Sequence, residues 1–168
     1  RIVTGTLDGR LVAVDARDGK PCADFGDNGQ VSLREGLGEF AEQEYSVTSP
    51  PAILGDRIIT GAMVLDRTHN HMPSGVVRAY NVRTGALEWF WDPIPPGQQP
   101  QFDAEGKPVF RRGTTNVWSV ISVDPERNLV FLPTGNTSTD FFGGLRDNMD
   151  YYSSSVVALK GDTGELAW

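Results

Sequence analysis

The sequence contains a single cysteine, Cys22, among 168 residues, which excludes an internal disulfide framework and any multi-cysteine zinc site. Cys22 is expected as a small, at least partly buried thiol or as half of a bridge to a partner outside these residues. No apolar run reaches the roughly 18 residues of a membrane-crossing helix, and no helical periodicity persists beyond about three turns. Basic charge is also scarce. Fifteen Lys and Arg stand against 22 Asp and Glu, a net charge of -7, so the chain lacks the surplus of cations that displaces counterions from phosphates, and nucleic acid is not an expected partner. No initiator Met, charged leader or apolar leader core opens the chain, which begins at Arg1 in a strand-like run and reads as an excised piece of a longer protein.

Glycine and proline are plentiful. Nineteen Gly and 11 Pro punctuate many short apolar runs, a pattern that predicts an all-β fold. Strands are expected at 1–7, 10–15, 52–54, 57–62, 75–80, 87–91, 117–123, 129–134 and 155–160. The first two flank Asp8-Gly9, a pair suited to the positive φ of a two-residue hairpin turn. Hairpins are also expected around Gly55-Asp56 and across 124–128.

Three internal repeats organise the chain: Ala13 to Gly19, Ala79 to Trp89 and Ala158 to Trp168. Their common frame is Ala, six residues on a Gly, and four further a Trp. Ala23 stands where the first Trp belongs, so either that copy has degenerated or its aromatic role has moved to Phe25. The frame describes a strand with a small residue, a Thr-Gly or Asp-Gly turn, and a strand with a large flat ring that can pack over the Ala and Gly of its neighbour. Radially arranged four-stranded blades of a β-propeller need such a lock. The expected architecture is therefore a partial β-propeller of about two to three blades, with 1–168 a piece of one propeller domain. Long loops are inserted near 26–45 and 92–112, and the second, with five prolines, cannot be a central strand. Open blade edges would invite association.

Between the repeats lie Thr48-Ser49-Pro50-Pro51, Ser74-Gly75-Val76-Val77-Arg78, Asn116-Val117-Trp118, Leu132-Pro133-Thr134-Gly135-Asn136 and Tyr152-Ser153-Ser154-Ser155. In this order they resemble the pyrroloquinoline-quinone (PQQ) dependent dehydrogenases, nearest the membrane-bound glucose/quinate/shikimate branch. The resemblance implies an eight-bladed propeller on the periplasmic side of the bacterial inner membrane, with PQQ and a divalent metal, usually Ca2+, near its axis. Trp118 matches the ring that stacks on PQQ, and its break from the repeat spacing favours that role over blade docking. Asn116 shares its face if both lie on one strand, and Thr48 resembles a hydroxyl contact to the cofactor. Asn136 and Asp66 resemble the metal ligands, with Ser138 a further oxygen; otherwise they are turn residues. The catalytic base is expected beyond Trp168, so the isolated piece should be inactive.

Arg67 suits a carboxylate of cofactor or substrate. His69 and His71 imitate a metal clamp but are weak as one, and as exposed loop residues they are weaker candidates for substrate contact. Phe141-Phe142 and Tyr151-Tyr152 are expected to pack between blades. The function implied is oxidation of a polyhydroxy substrate, a cyclic hydroxy acid such as quinate or shikimate first and glucose next, with electrons passing to membrane quinone. The alternative is a non-catalytic propeller scaffold resembling outer-membrane assembly lipoproteins. Such a scaffold needs the Ala-Gly-Trp locks but has no reason to keep Thr48, Trp118 and Asn136 together.

Overall fold

The computed structural model describes residues 1–67 and 69–168. The first sheet runs β1 (Ile2–Gly5), β2 (Arg10–Val14), β3 (Gln30–Ser32), all antiparallel. Next comes the short β4 (Tyr45–Ser46). The second sheet starts with β5 (Ala52–Leu54) and β6 (Arg57–Thr60), β7 (Met63–Val64) leaves it to pair with β4, and β8 (Val77–Asn81) and β9 (Leu87–Trp91) complete the order β5-β6-β8-β9. A hairpin of β10 (Gln101–Phe102) and β11 (Pro108–Val109) lies in the proline-rich insertion. The third sheet is β12 (Ser122–Asp124), β13 (Leu129–Pro133) and β14 (Val156–Lys160). Among the described residues no helix is long and apolar enough to cross a membrane.

The sheets stack as blades because the middle one is apolar on both faces. Along β6 and β8 the period of two sends Ile58, Val76 and Tyr80 into one core with Leu11, Ala13 and Phe25 of the first blade. Their neighbours Ile59, Val77 and Ala79 enter a second core with Val130, Leu132 and Leu159 of the third. The aromatic locks close both interfaces. Trp89 Nε1 donates to Gly161 O at 3.0 Å, and a Cβ on Gly164 would lie 2.5 Å from the indole. Phe25, wholly buried, takes the same place over Gly85, where a Cβ would lie 3.3 Å from its ring. The aromatic role has therefore moved from position 23 to position 25. In the remaining copies, a Cβ on Gly19 would meet nothing within 4 Å and Trp168 is 62% exposed.

Several local expectations change. The first hairpin closes through three residues, not two: Thr6 N donates to Arg10 O at 2.9 Å, and only Gly9, at φ +77, takes a positive φ, because Thr6 continues the ladder and leaves a bulged turn. The strand expected at 117–123 is only Ser122–Asp124. Phe141 is 85% exposed and Phe142 is exposed too, so they do not pack between blades; of the tyrosine pair only Tyr152 packs, edge-on to Trp91 at 5.2 Å.

The two insertions are fastened to the second blade by one buried cation. Arg78, on β8, donates to Leu33 O at 2.7 Å, Glu35 O at 2.9 Å and Tyr45 Oη at 3.3 Å, and lies 4.6 Å over the ring of Phe110. Carbonyls and an aromatic face thus replace its hydration shell. The same burial holds the Tyr45 hydroxyl above its ordinary pKa and pushes that of Tyr80 up to about 12.

Candidate functional site

Four segments converge where the blades meet: Val47 to Pro51 after β4, Leu65-Asp66 after β7, Gly113 to Trp118 before β12, and Thr134 to Ser138 after β13. The stretch 113–118 forms no ladder, yet each of its ends is held. Thr48 Oγ1 and Ser49 Oγ both donate to Trp118 O, at 3.2 and 2.6 Å. Asn116 Nδ2 donates to Val64 O at 3.0 Å, while Asn116 O accepts from Gly135 N at 2.8 Å. Thr115 Oγ1 donates to Gly135 O at 2.6 Å. Gly135 has to be glycine here: a Cβ would lie 2.5 Å from Asn116 Oδ1 and 3.0 Å from Trp118 Nε1. Asn116 and Trp118 therefore do close on one point, without lying on a paired strand.

Their environments differ. Asn116 is 3% exposed, and its Oδ1 is buried with no hydrogen-bond partner among the described residues, a condition that costs free energy unless a donor arrives. Trp118 is 51% exposed, its carbonyl pinned and its ring facing out. A large flat ring on a fixed backbone with an unpaired acceptor beside it suits a planar, polar-edged group.

Asn136 Nδ2 donates to Asp140 Oδ1, and Asn136 Oδ1 accepts from Ser154 Oγ at 2.6 Å. Asp140 N donates to Asp66 O at 2.8 Å, and Ser138, buried, donates to Leu65 O at 3.3 Å. Asn136, Ser138 and Asp66 thus belong to one connected network, next to Asn116 and Trp118 through Gly135. The oxygens these three offer are hard donors, but fewer than the roughly six to eight that a Ca2+ shell takes. Among the described residues no group of three or more His, Cys, Asp and Glu is gathered that could hold a metal ion.

The expected substrate contacts separate. Arg67 Nε lies 3.9 Å from Asp66 Oδ1 with its side chain 74% exposed. His69 Nε2 is 3.1 Å from Glu44 Oε1. His71 lines a cleft of about 370 Å³ with Arg111, Arg112 and Arg146, and its carbonyl accepts from the Arg112 guanidinium. The two histidines thus do not form a clamp. Ser49 escaped the sequence reading although it neighbours Thr48, and so did a buried carboxyl, Asp92, behind the segment 113–118.

Comparison with known proteins bears on this arrangement. The family model for the PQQ glucose/ethanol/alcohol dehydrogenase β-propeller domain matches residues 1–168. The quinate/shikimate dehydrogenase (quinone) of Acinetobacter baylyi is 45% identical over 170 residues, covering 100% of this chain and 21% of that protein. The glycerol dehydrogenase large subunit of Gluconobacter thailandicus is 40% identical over 169 residues, 100% of this chain and 23% of its own length. Quinoprotein glucose dehydrogenase A of Acinetobacter calcoaceticus is 38% identical over 164 residues, 96% of this chain and 20% of that protein. The chain thus spans about a fifth of the length of these relatives. Among solved structures, the quinohemoprotein alcohol dehydrogenase of Comamonas testosteroni superposes with a TM-score of 0.72 at 25% identity, over 99% of this chain and 25% of the other. A family match along the whole chain, together with a shared partial-propeller architecture, establishes that this chain belongs to the PQQ-dependent dehydrogenase β-propeller family, whose members are oxidoreductases.

Proposed function

We propose that the protein containing this chain oxidises a cyclic hydroxy acid of the quinate or shikimate kind, with glucose the next candidate, using PQQ and a divalent cation, Ca2+ first. The observation that carries this reading is the Trp118 platform: a half-exposed indole whose carbonyl is pinned by Thr48 and Ser49, beside the unpaired Asn116 Oδ1. The 45% identity to a quinate/shikimate dehydrogenase supports the substrate choice. Electrons pass to membrane quinone, and the site works on the periplasmic side of the inner membrane.

In this reading Trp118 stacks on the cofactor and Asn116 Oδ1 accepts from a donor at its edge or from a water between them. Thr48 and Ser49 orient the ring and do not touch the cofactor themselves, because their protons are spent on Trp118 O. Asn136, Asp66 and Ser138 contribute oxygens to the cation, and the rest of its shell comes from the cofactor and from chain outside these residues. When bound, PQQ with its cation supplies a two-electron acceptor for the hydride of the carbinol carbon. Arg67, exposed and tied only loosely to Asp66, is free to pair with a substrate carboxylate. His69 is occupied by Glu44, and His71 lies across the neighbouring cleft. The base that takes the hydroxyl proton lies beyond Trp168.

The test is reconstitution of the full-length protein with PQQ and Ca2+, followed by dye reduction with quinate, shikimate and glucose. Turnover of quinate or shikimate, lost without PQQ, is the expected result. Turnover of glucose alone would overturn the substrate, and neither PQQ binding nor turnover would leave the propeller as a scaffold.

A further inference from the structure

We infer that Asp92 is a positioning residue for the segment presenting Asn116 and Trp118, acting through a one-way chain of hydrogen bonds between its carboxylate and Gly75; this rests on the cofactor reading above. Asp92 directly follows β9 and is buried. Its Oδ2 accepts from Arg111 N at 2.8 Å and its Oδ1 from Ser74 Oγ at 2.8 Å. Ser74 Oγ accepts from Val76 N at 3.0 Å and lies 3.1 Å from Thr114 Oγ1, which itself accepts from Gly75 N at 3.0 Å. A single assignment uses every proton. Thr114 donates to Ser74, and Ser74 donates to Asp92, so an acceptor at position 92 sets the direction of the whole chain.

This chain holds the site segment at two points, Arg111 and Thr114, just ahead of Asn116 and Trp118. Between them Gly75 presses on the same strand, where a Cβ would overlap Thr115 O and Asn116 Cα. The placement of Trp118 is therefore set from behind by Asp92 and Ser74 as well as from in front by Thr48 and Ser49.

The carboxyl also confers a signature. Burial pushes its pKa up to about 6, opposed by the hydrogen bonds from Arg111 N and Ser74 and by the charges of Arg78 and Arg111, the charged groups that bear on it. Once protonated, one Asp92 oxygen becomes a donor and meets another donor, Ser74 O–H or Arg111 N–H, so the chain opens.

The experiment titrates full-length apo-protein with PQQ, following tryptophan quenching, on either side of pH 6. Wild type is expected to bind about tenfold more tightly above that pH than below it, and Asp92→Asn to bind about tenfold more weakly at neutral pH with the step removed. Ser74→Ala and Thr114→Val should each weaken binding several-fold, and they carry the test should Asp92→Asn fail to fold. Trp118→Ala separates the two readings. If it binds PQQ like wild type, the cofactor reading falls and this inference with it. If it loses PQQ while the Asp92, Ser74 and Thr114 variants keep both wild-type affinity and the pH step, this inference alone falls.

Discussion

Gly164→Ala tests whether blades are held together by ring-over-glycine contact. Gly164 sits at φ +71, and an added Cβ would lie 2.5 Å from Trp89 Cε3 and 2.8 Å from Cδ2, well inside the roughly 3.5–4.0 Å at which carbons rest. Two penalties add: about 1–2 kcal/mol for a left-handed non-glycine residue and about 1–3 kcal/mol for overpacking a tight interface. Gly55→Ala isolates the first, since Gly55 turns at φ +58 with nothing within 4 Å of an added Cβ. Trp89→Ala removes the ring and its bond to Gly161 O, at about 3–5 kcal/mol. With the ring gone the overpacking term vanishes, so Trp89→Ala/Gly164→Ala should cost less than the sum of the single changes by about 1–3 kcal/mol. Hydrogen–deuterium exchange of the full-length protein reads this locally, through amides such as Gly164 N and Ala167 N, which donate to Lys160 O and Ala158 O at 2.9 and 2.8 Å. Equal local opening in Gly164→Ala and Gly55→Ala, or an additive cycle, would refute the contact.

Three further outcomes are expected. The raised pKa of Asp92 means that the folded state binds more protons than the unfolded one between about 4 and 6, so this group lowers stability as pH rises through that window, by about 3 kcal/mol in all; the wild-type minus Asp92→Asn difference in melting temperature of the full-length protein should fall across the window, and a flat difference would contradict it. Arg78→Lys keeps the charge but loses the fork that reaches both Leu33 O and Glu35 O, at about 2–4 kcal/mol; limited proteolysis should then cut 33–40 faster, and an unchanged rate would deny Arg78 its clamping role. After chelation, Asn136→Ala should need about 10–100-fold more Ca2+ than wild type to regain activity; identical Ca2+ titrations would leave Asn136 as a turn residue held by Ser154 and Asp140.

Much of this was legible in one dimension. The Ala-Gly-Trp frame is local chemistry repeated at intervals, so composition and spacing alone determined an all-β chain of stacked blades, their turns and even the transfer of an aromatic role to Phe25. The family motifs likewise marked Trp118, Asn116, Asn136 and Thr48, because each lies in a short run whose residue types are themselves the signal. What only tertiary structure decided are the contacts between segments far apart in sequence. Thr48 and Ser49 lie about 70 residues from the carbonyl they hold, so nothing local revealed that their hydroxyls serve Trp118 itself. Asp92, in a proline-rich insertion, looked like turn chemistry until packing took it out of water and gave it Ser74 and Arg111 as donors. Conversely, Phe141 and Phe142 look apolar enough to be core, yet the packing leaves them in solvent. Local periodicity specifies which residues form strands and turns, whereas burial and the pairing of polar groups depend on what each segment meets, a property of the assembled blades.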